Sequence, residues 1–228
     1  MSRVTLVGIT QPAPGASGCD TASQLVNFAA RVSNPTNQIS NKPADKLMQY
    51  LIEHEHWSPF EMVSMTMEIV TTRDISRQIL RHRSFSFQEF SQRYAVSEHF
   101  ITDRELRLQD TKNRQNSVVS KDKDLSEWWK EAQKYIAETA QSMYRQALDK
   151  GVAKEQARAL LPEGLTETTL YMAGTLRSWI HYCQLRTKNG TQKEHIIIAN
   201  ACWNIICENF PTVKQTFNNM IEEKNEQQ

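Results

Sequence analysis

The chain has 228 residues, of which 39% are hydrophobic and 23% charged, with 27 basic against 26 acidic side chains. That length supports one large domain with a real core or two small ones, and the balance excludes global disorder. A formal net charge of +1 argues against a dedicated polyanion binder, so any bound anion is expected on a few placed arginines rather than in a diffuse field.

Residues 3–9 are β-branched and alternating, which predicts a strand that Pro12, Pro14, Gly15 and Gly18 then break. Asp20 is placed to cap a helix carrying Leu25, Phe28, Ala29 and Val32 on one face. Pro43 suits the first turn of a second helix with Leu47, Tyr50, Leu51 and His54 along one side. Over 61–71 the period becomes two, with Val63, Met65, Met67 and Ile69 alternating against Ser64, Thr66 and Glu68, as in a half-buried strand. A short helix from Asp74 carries Ile75, Ile79 and Leu80 into an arginine cluster. Residues 103–123 are polar and aperiodic and read as a surface excursion. Asp124-Leu125-Ser126-Glu127 resembles a capping box opening a long helix that Gly151 closes. A short helix ends before Pro162, residues 166–173 read as a strand, and helical patterns cover 175–187, 191–208 and the residues after Pro211. With no repeat and no dividing linker, the expectation is a single α+β domain over 1–228, mainly helical with a central antiparallel or mixed sheet.

The start, Met1 to Thr10, has too short an apolar run for a signal peptide, and no stretch approaches the ~20 apolar residues that cross a bilayer, so a soluble, cytoplasmic protein without membrane partners is expected. Cys19, Cys183, Cys202 and Cys207 form no CxxC, and the last three lie in apolar helical stretches, as buried free thiols do. His54 and His56 are too close on a helix to share a face and lack a third ligand, so no metal site is expected. No GxGxxG or Walker loop occurs. The Trp128-Trp129 pair reads as helix packing.

The densest chemical signal runs from Gln78 to Arg93. It holds Arg81, Arg83 and Arg93 with His82, Ser86, Gln88, Glu89 and Ser91. The planar fork of arginine binds phosphate bidentately, and Glu or Gln can read the edge of a base or a flavin ring. Phe85, Phe87 and Phe90 interleave with the charges and would anchor the loop against a core. On α-helical geometry Arg177, His181 and Gln184, spaced i, i+4, i+7, share one face. Arg186, nine residues beyond Arg177, lies about 180° away. Two ligands or two subunits follow naturally from that opposition.

Arg81-His82-Arg83, seven intervening residues and Ser91, followed by Arg93, resembles the signature of the flavin-dependent thymidylate synthases. The resemblance spans nearly the whole chain. Ala29-Ala30-Arg31-Val32-Ser33 is similar to the family's N-terminal helix end, and His56-Trp57-Ser58-Pro59-Phe60-Glu61 to its His-x-Thr/Ser-Pro-Phe-Glu segment. Arg77-Gln78, Arg158 before Leu160-Leu161-Pro162, Arg177-Ser178, His181, Leu185-Arg186 and Gln192-x-Glu194 match further family positions. Gln88, Thr175 and His181 stand where asparagines are usual.

The resemblance implies reductive methylation of dUMP to dTMP, with 5,10-methylenetetrahydrofolate donating the carbon and NADPH-reduced FAD the hydride. It places Gln78, Arg81, Glu89, Ser91, Gln92, Arg93, Arg158 and Arg186 on dUMP, with Arg186 the catalytic cation beside the uracil ring. It places Ser33, His56, Ser58, Glu61, Arg81, His82, Arg83, Ser84, Gln88, Glu89, Thr175, Arg177 and His181 on FAD, in a homotetramer whose sites are built from more than one chain. Ser91 reads as a phosphate donor rather than a nucleophile, because no His-Asp pair is arranged to activate it. A nucleic-acid module using the same arginines and aromatics is the alternative of another class, and the near-zero net charge opposes it. A flavin enzyme acting on another nucleotide is the second alternative.

Overall fold

The computed structural model describes residues 2–15, 19–38, 45–188 and 190–226. Its centre is a four-stranded sheet in the order β1-β2-β6-β3, formed by β1 (Arg3–Ile9), β2 (Ser64–Thr72), β6 (Glu167–Thr175) and β3 (Ser86–Glu89), with every pairing antiparallel. Alternation decides which face turns inward. Met65, Met67 and Ile69 of β2 are fully buried, as are Leu170 and Met172 of β6. Burying each such side chain stabilises the fold by about 1.5–3 kcal/mol.

Helices cover the buried face: α1 (Ala22–Ala30), α3 (Asp45–Glu53), α7 (Leu176–Arg186), α8 (Lys193–Asn209) and α9 (Pro211–Glu226). They contribute Val26, Met48, Ile52, Trp179, Ile180, Ile198, Cys202, Ile206 and Val213 to the same core. Short helices α2 (Pro35–Gln38), α4 (Arg73–Ile79) and α6 (Lys154–Ala157) connect larger elements. The long helix α5 (Lys123–Asp149) seats Tyr144 in a separate small cluster with Ala157 and Leu161. Among the described residues no helix is long and apolar enough to cross a membrane.

Several boundaries differ from the sequence reading. Thr21, not Asp20, caps α1: its hydroxyl accepts from Gln24 N while the Gln24 side chain accepts from the Thr21 backbone, a capping box. The helix ends at Ala30, leaving Val32 exposed in a turn. Asp122, not Asp124, caps α5, because its extended backbone aims the carboxylate at Leu125 N, 2.9 Å away. Residues 58–62 form a 3-10 turn with Pro59 in its first turn, so the strand begins only at Ser64. Pro43 lies outside the described residues.

Two elements go beyond the sequence reading. The excursion 103–123 contains a small hairpin, β4 (Arg107–Gln109) with β5 (Ser117–Val119). The arginine-rich segment itself supplies β3, an edge strand paired to β6. A three- or four-residue strand carries too short a pattern to read. Phe85 and Phe87 pack against the core as expected, but Phe90 remains 37% exposed because it follows the last residue of β3. Phe85 meets Trp179 edge-on at 4.8 Å, over Gly174, where a Cβ would stand 2.4 Å from the Phe85 ring.

Candidate active site

The predicted residues gather in four places. At the first, α7 meets the signature: Arg186 Nε donates to His82 Nε2 at 2.8 Å. The His82 ring lies edge-on to Tyr182 at 4.9 Å, and the Tyr182 hydroxyl lies 3.0 Å from His195 Nε2. His195 Nδ1 in turn lies 3.4 Å from Gln78 Oε1. Burial, then the Arg186 charge, pushes the His82 pKa down to about 4. Burial, then Arg186 and His82, brings His195 to about 4 as well. Both imidazoles are therefore neutral at pH 7, which His82 needs in order to accept from the guanidinium. Burial likewise pushes the Tyr182 hydroxyl well above its ordinary pKa, so it remains a donor.

Gln78 leads outward from this group. Its Nε2 donates to Gln192 Oε1 at 2.7 Å, and Gln192 Nε2 donates to Glu194 Oε2 at 2.9 Å. Arg107 of β4 grips both Glu194 oxygens through Nη2 at 2.7 Å. Burial raises the Glu194 pKa, but the Arg107 hydrogen bond and the other donors outweigh it and hold the carboxyl below its usual range.

The second group occupies the start of α7. Thr175 is its N-cap, accepting from Ser178 N. Arg177 pairs with Glu61 of the 3-10 turn that Ser58 opens. His181, one turn on, meets Trp57 edge-on at 4.7 Å. Burial first, then Arg177, lowers its pKa. Next to Trp57 in sequence, His56 and His54 lie 6.2 Å apart, and His54 stacks on Tyr50 at 4.0 Å. This corrects the helical argument applied to those histidines: α3 ends at Glu53, and Glu55 takes φ +56°, so the two rings are not on a helix at all. No group of three metal-ligating side chains forms among the described residues. Ser33 is exposed in the turn after α1, a helix that packs on the same 3-10 turn.

Third, Arg93 Nε pairs with Glu155 Oε2 at 3.3 Å while Arg158 Nε donates to the Glu155 carbonyl at 3.2 Å. Two of the arginines expected on dUMP thus converge on one residue of α6. Ser91 sits in the turn after β3, and its neighbour Gln92 is 5% exposed, bonding Ser97. Fourth, Glu89 at the end of β3 accepts from Ser76, Arg77 and Thr168 at 2.8–3.1 Å, with Arg73 at 3.8 Å. Arg81, Arg83, Ser84 and Gln88 are exposed, and neither Arg81 nor Arg83 has an ion-pair partner among the described residues.

Among the described residues no side-chain hydrogen bond or ion pair joins the Arg93–Arg158 group to the Arg186 group. Tyr182, His195, Arg107, Arg73 and Glu155 escape the sequence reading. Tyr182 lies one turn before Arg186, a spacing that could flag it, but in an apolar helix it reads as core.

A family model described as "Thymidylate synthase complementing protein" matches residues 17–212. A probable flavin-dependent thymidylate synthase of Paramecium bursaria Chlorella virus 1 is 50% identical over 208 residues, covering 91% of this chain and 95% of its own. The flavin-dependent thymidylate synthase of Synechocystis sp. is 50% identical over 189 residues, covering 83% and 86%. The chain belongs to the flavin-dependent thymidylate synthase family.

The fold agrees with that membership. The crystal structure of a UMP/dUMP methylase, PolB from Streptomyces cacaoi, with 5-Br dUMP bound superposes with a TM-score of 0.79 at 28% identity, over 96% of this chain and 95% of that one. Within the family's pattern, two of this chain's departures hold structural positions: Thr175 caps α7, and His181 packs on Trp57. The third, Gln88, is exposed on β3.

Proposed function

We propose that the protein methylates dUMP to dTMP, taking the carbon from 5,10-methylenetetrahydrofolate and the reducing hydride from FAD recharged by NADPH. The observation that carries this reading is the join between the signature and α7, where Arg186 is held 2.8 Å from the neutral His82. A guanidinium placed in advance beside a neutral acceptor retains its full charge. It can then stabilise the negative charge that develops on a uracil ring as C5 becomes nucleophilic.

The donor set suits an aromatic, phosphate-bearing cofactor. Exposed Arg83 is free for a pyrophosphate, Trp57 and His181 offer ring surfaces beside Arg177, and His56 adds one against Tyr50. Ser33, His56, Ser58, Glu61, Arg81, His82, Arg83, Ser84, Gln88, Glu89, Thr175, Arg177 and His181 are the residues that would hold FAD. When bound, FAD supplies the hydride that converts the transferred carbon to a methyl group. On the nucleotide, Arg81, Ser91, Arg93 and Arg158 bind the phosphate, while Gln78, Glu89 and Gln92 orient sugar and base. Glu89 does so from a carboxylate already fixed by Ser76, Arg77 and Thr168. No cysteine belongs to the signature, and the Cys183 and Cys202 thiols are buried with raised pKa values, so a thiol-adduct route is closed to them.

Self-association to a homotetramer with shared sites completes the reading. It is supported by the separation of Arg177 and Arg186 along α7 and by an apolar stripe on α5. Trp128, Tyr135, Ile136 and Met143 are all at least 47% exposed there. The test is direct. Purified protein should show flavin absorbance, and it should form dTMP from dUMP only with folate and reductant present. Arg186→Ala should lower turnover by at least about a hundredfold, the scale of losing one preorganised charge. A colourless protein without dTMP formation, or activity on UMP alone, rejects the reading.

A further inference from the structure

The hydrogen-bond chain that ends on Gln78 is directional, and its direction is set far from the nucleotide. A carboxylate only accepts. Glu194, held by Arg107 at 2.7 Å, therefore forces Gln192 to turn its Nε2 toward it, at 2.9 Å. Gln192 Oε1 must then face Gln78, which donates from Nε2 at 2.7 Å. Gln78 Oε1 is left toward His195 Nδ1 at 3.4 Å, which makes Nδ1 the protonated nitrogen. Nε2 of His195 is then free to accept from the Tyr182 hydroxyl at 3.0 Å. Reversing either amide alone would set oxygen against oxygen or amino group against amino group, and a partly buried chain offers little water to repair such a mismatch.

We propose that Arg107 and Glu194 are positioning residues for the nucleotide: acting through Gln192, they fix which face of the Gln78 amide donates and which accepts. The proposal rests on the reading that Gln78 contacts dUMP. An amide presented the wrong way round exchanges a donor for an acceptor at the ligand. A site built for one pattern rejects the other.

Glu194→Gln tests this with no change of shape. Arg107 Nη2 faces both carboxylate oxygens, so the introduced amide can meet Gln192 with either its oxygen or its nitrogen and no longer compels one direction. With its nitrogen toward Gln192, Gln192 and Gln78 would each turn over and the His195 proton would move to Nε2. The expected result is dUMP affinity weakened at least about twofold, because only part of the population presents the right face of Gln78, with kcat at saturating dUMP changed much less. The nitrogen-15 spectrum of His195 should show the second tautomer even without nucleotide. The exchanged variant Gln192→Glu/Glu194→Gln restores the acceptor-only group next to Gln78, and should return both the single wild-type tautomer and the wild-type affinity. A merely structural role for the Arg107–Glu194 ion pair predicts no rescue, since the exchanged variant lacks that pair too. Gln192→Leu provides a second cut that leaves the ion pair intact, and should weaken dUMP binding at least as much.

An unchanged tautomer in folded Glu194→Gln, an exchanged variant as weak as the single one, or wild-type affinity in Gln192→Leu each overturns the proposal. Gln78→Ala separates the two layers. If it binds dUMP like wild type while the second tautomer still appears in Glu194→Gln, the assignment of Gln78 to the nucleotide fails and the relay loses its function.

Discussion

Two neutral histidines, His82 bonded to the Arg186 guanidinium and His195 buried beside Tyr182, give the protein a definite dependence on pH. His82 and His195 titrate near 4 in the fold instead of near 6.5. Between those values the unfolded chain binds protons that the native chain refuses. Stability therefore falls as pH drops from about 6.5 to about 4 and is unaffected by these groups above that window. Urea unfolding at pH 7, 5.5 and 4.5 should show the loss, and His82→Asn should flatten it, with His195 left as the remaining contributor. An identical slope in that variant would mean other groups carry the acid sensitivity. At this scale the sequence is informative about residue type and silent about partners. Arg186, His82 and Gln78 stand out from it, but Glu194 and His195 sit in an amphipathic helix where their roles depend on which neighbours fold against them. Glu89 shows the same limit: its charge is plain in the sequence, its three donors are not.

Helix α7 carries two parts of the candidate site, with Arg177 against Glu61 and Arg186 against His82. Its start depends on Thr175, whose hydroxyl accepts from Ser178 N. Thr175→Ala should cost about 1 kcal/mol in unfolding free energy, whereas Thr175→Ser should cost little, and Thr175→Ala should also loosen flavin. Equal melting of the two variants would remove the capping role. The neighbouring Gly174→Ala pushes a methyl group into the Phe85 ring. Overpacking of this kind typically costs about 1–3 kcal/mol, and Phe85→Leu in the same chain should recover part of it. Long periodic elements such as α5 and α8 are legible because many residues repeat one message. The β3 edge strand and the β4–β5 hairpin are not, since three or four residues paired to distant partners leave almost no local trace.

At the scale of the whole molecule, α5 separates two tasks. Gln133, Ala137 and Tyr144 are buried on one side, while Trp128, Tyr135, Ile136 and Met143 form a stripe centred about 130° away at 100° per residue. Under the proposed shared-site assembly, this exposed apolar stripe is the surface that would face a second copy of the chain. Mixing tests the shared-site reading. Arg93→Ala and Arg177→Ala are each expected to be inactive, and dissociating and reassembling them together should recover part of the activity. No recovery in verified mixed oligomers would mean that both residues serve each site from the same chain.

The contact between Phe85 and Gly174 also constrains how related sequences can diverge. With a bare Cα opposite the ring, position 85 is free to shrink first, whereas a side chain gained at position 174 while the ring remains carries the overpacking cost. The two positions are far apart in the chain and yet favour one order of change. Lineages that abandon the aromatic ring should therefore be enriched among those in which glycine at 174 is lost.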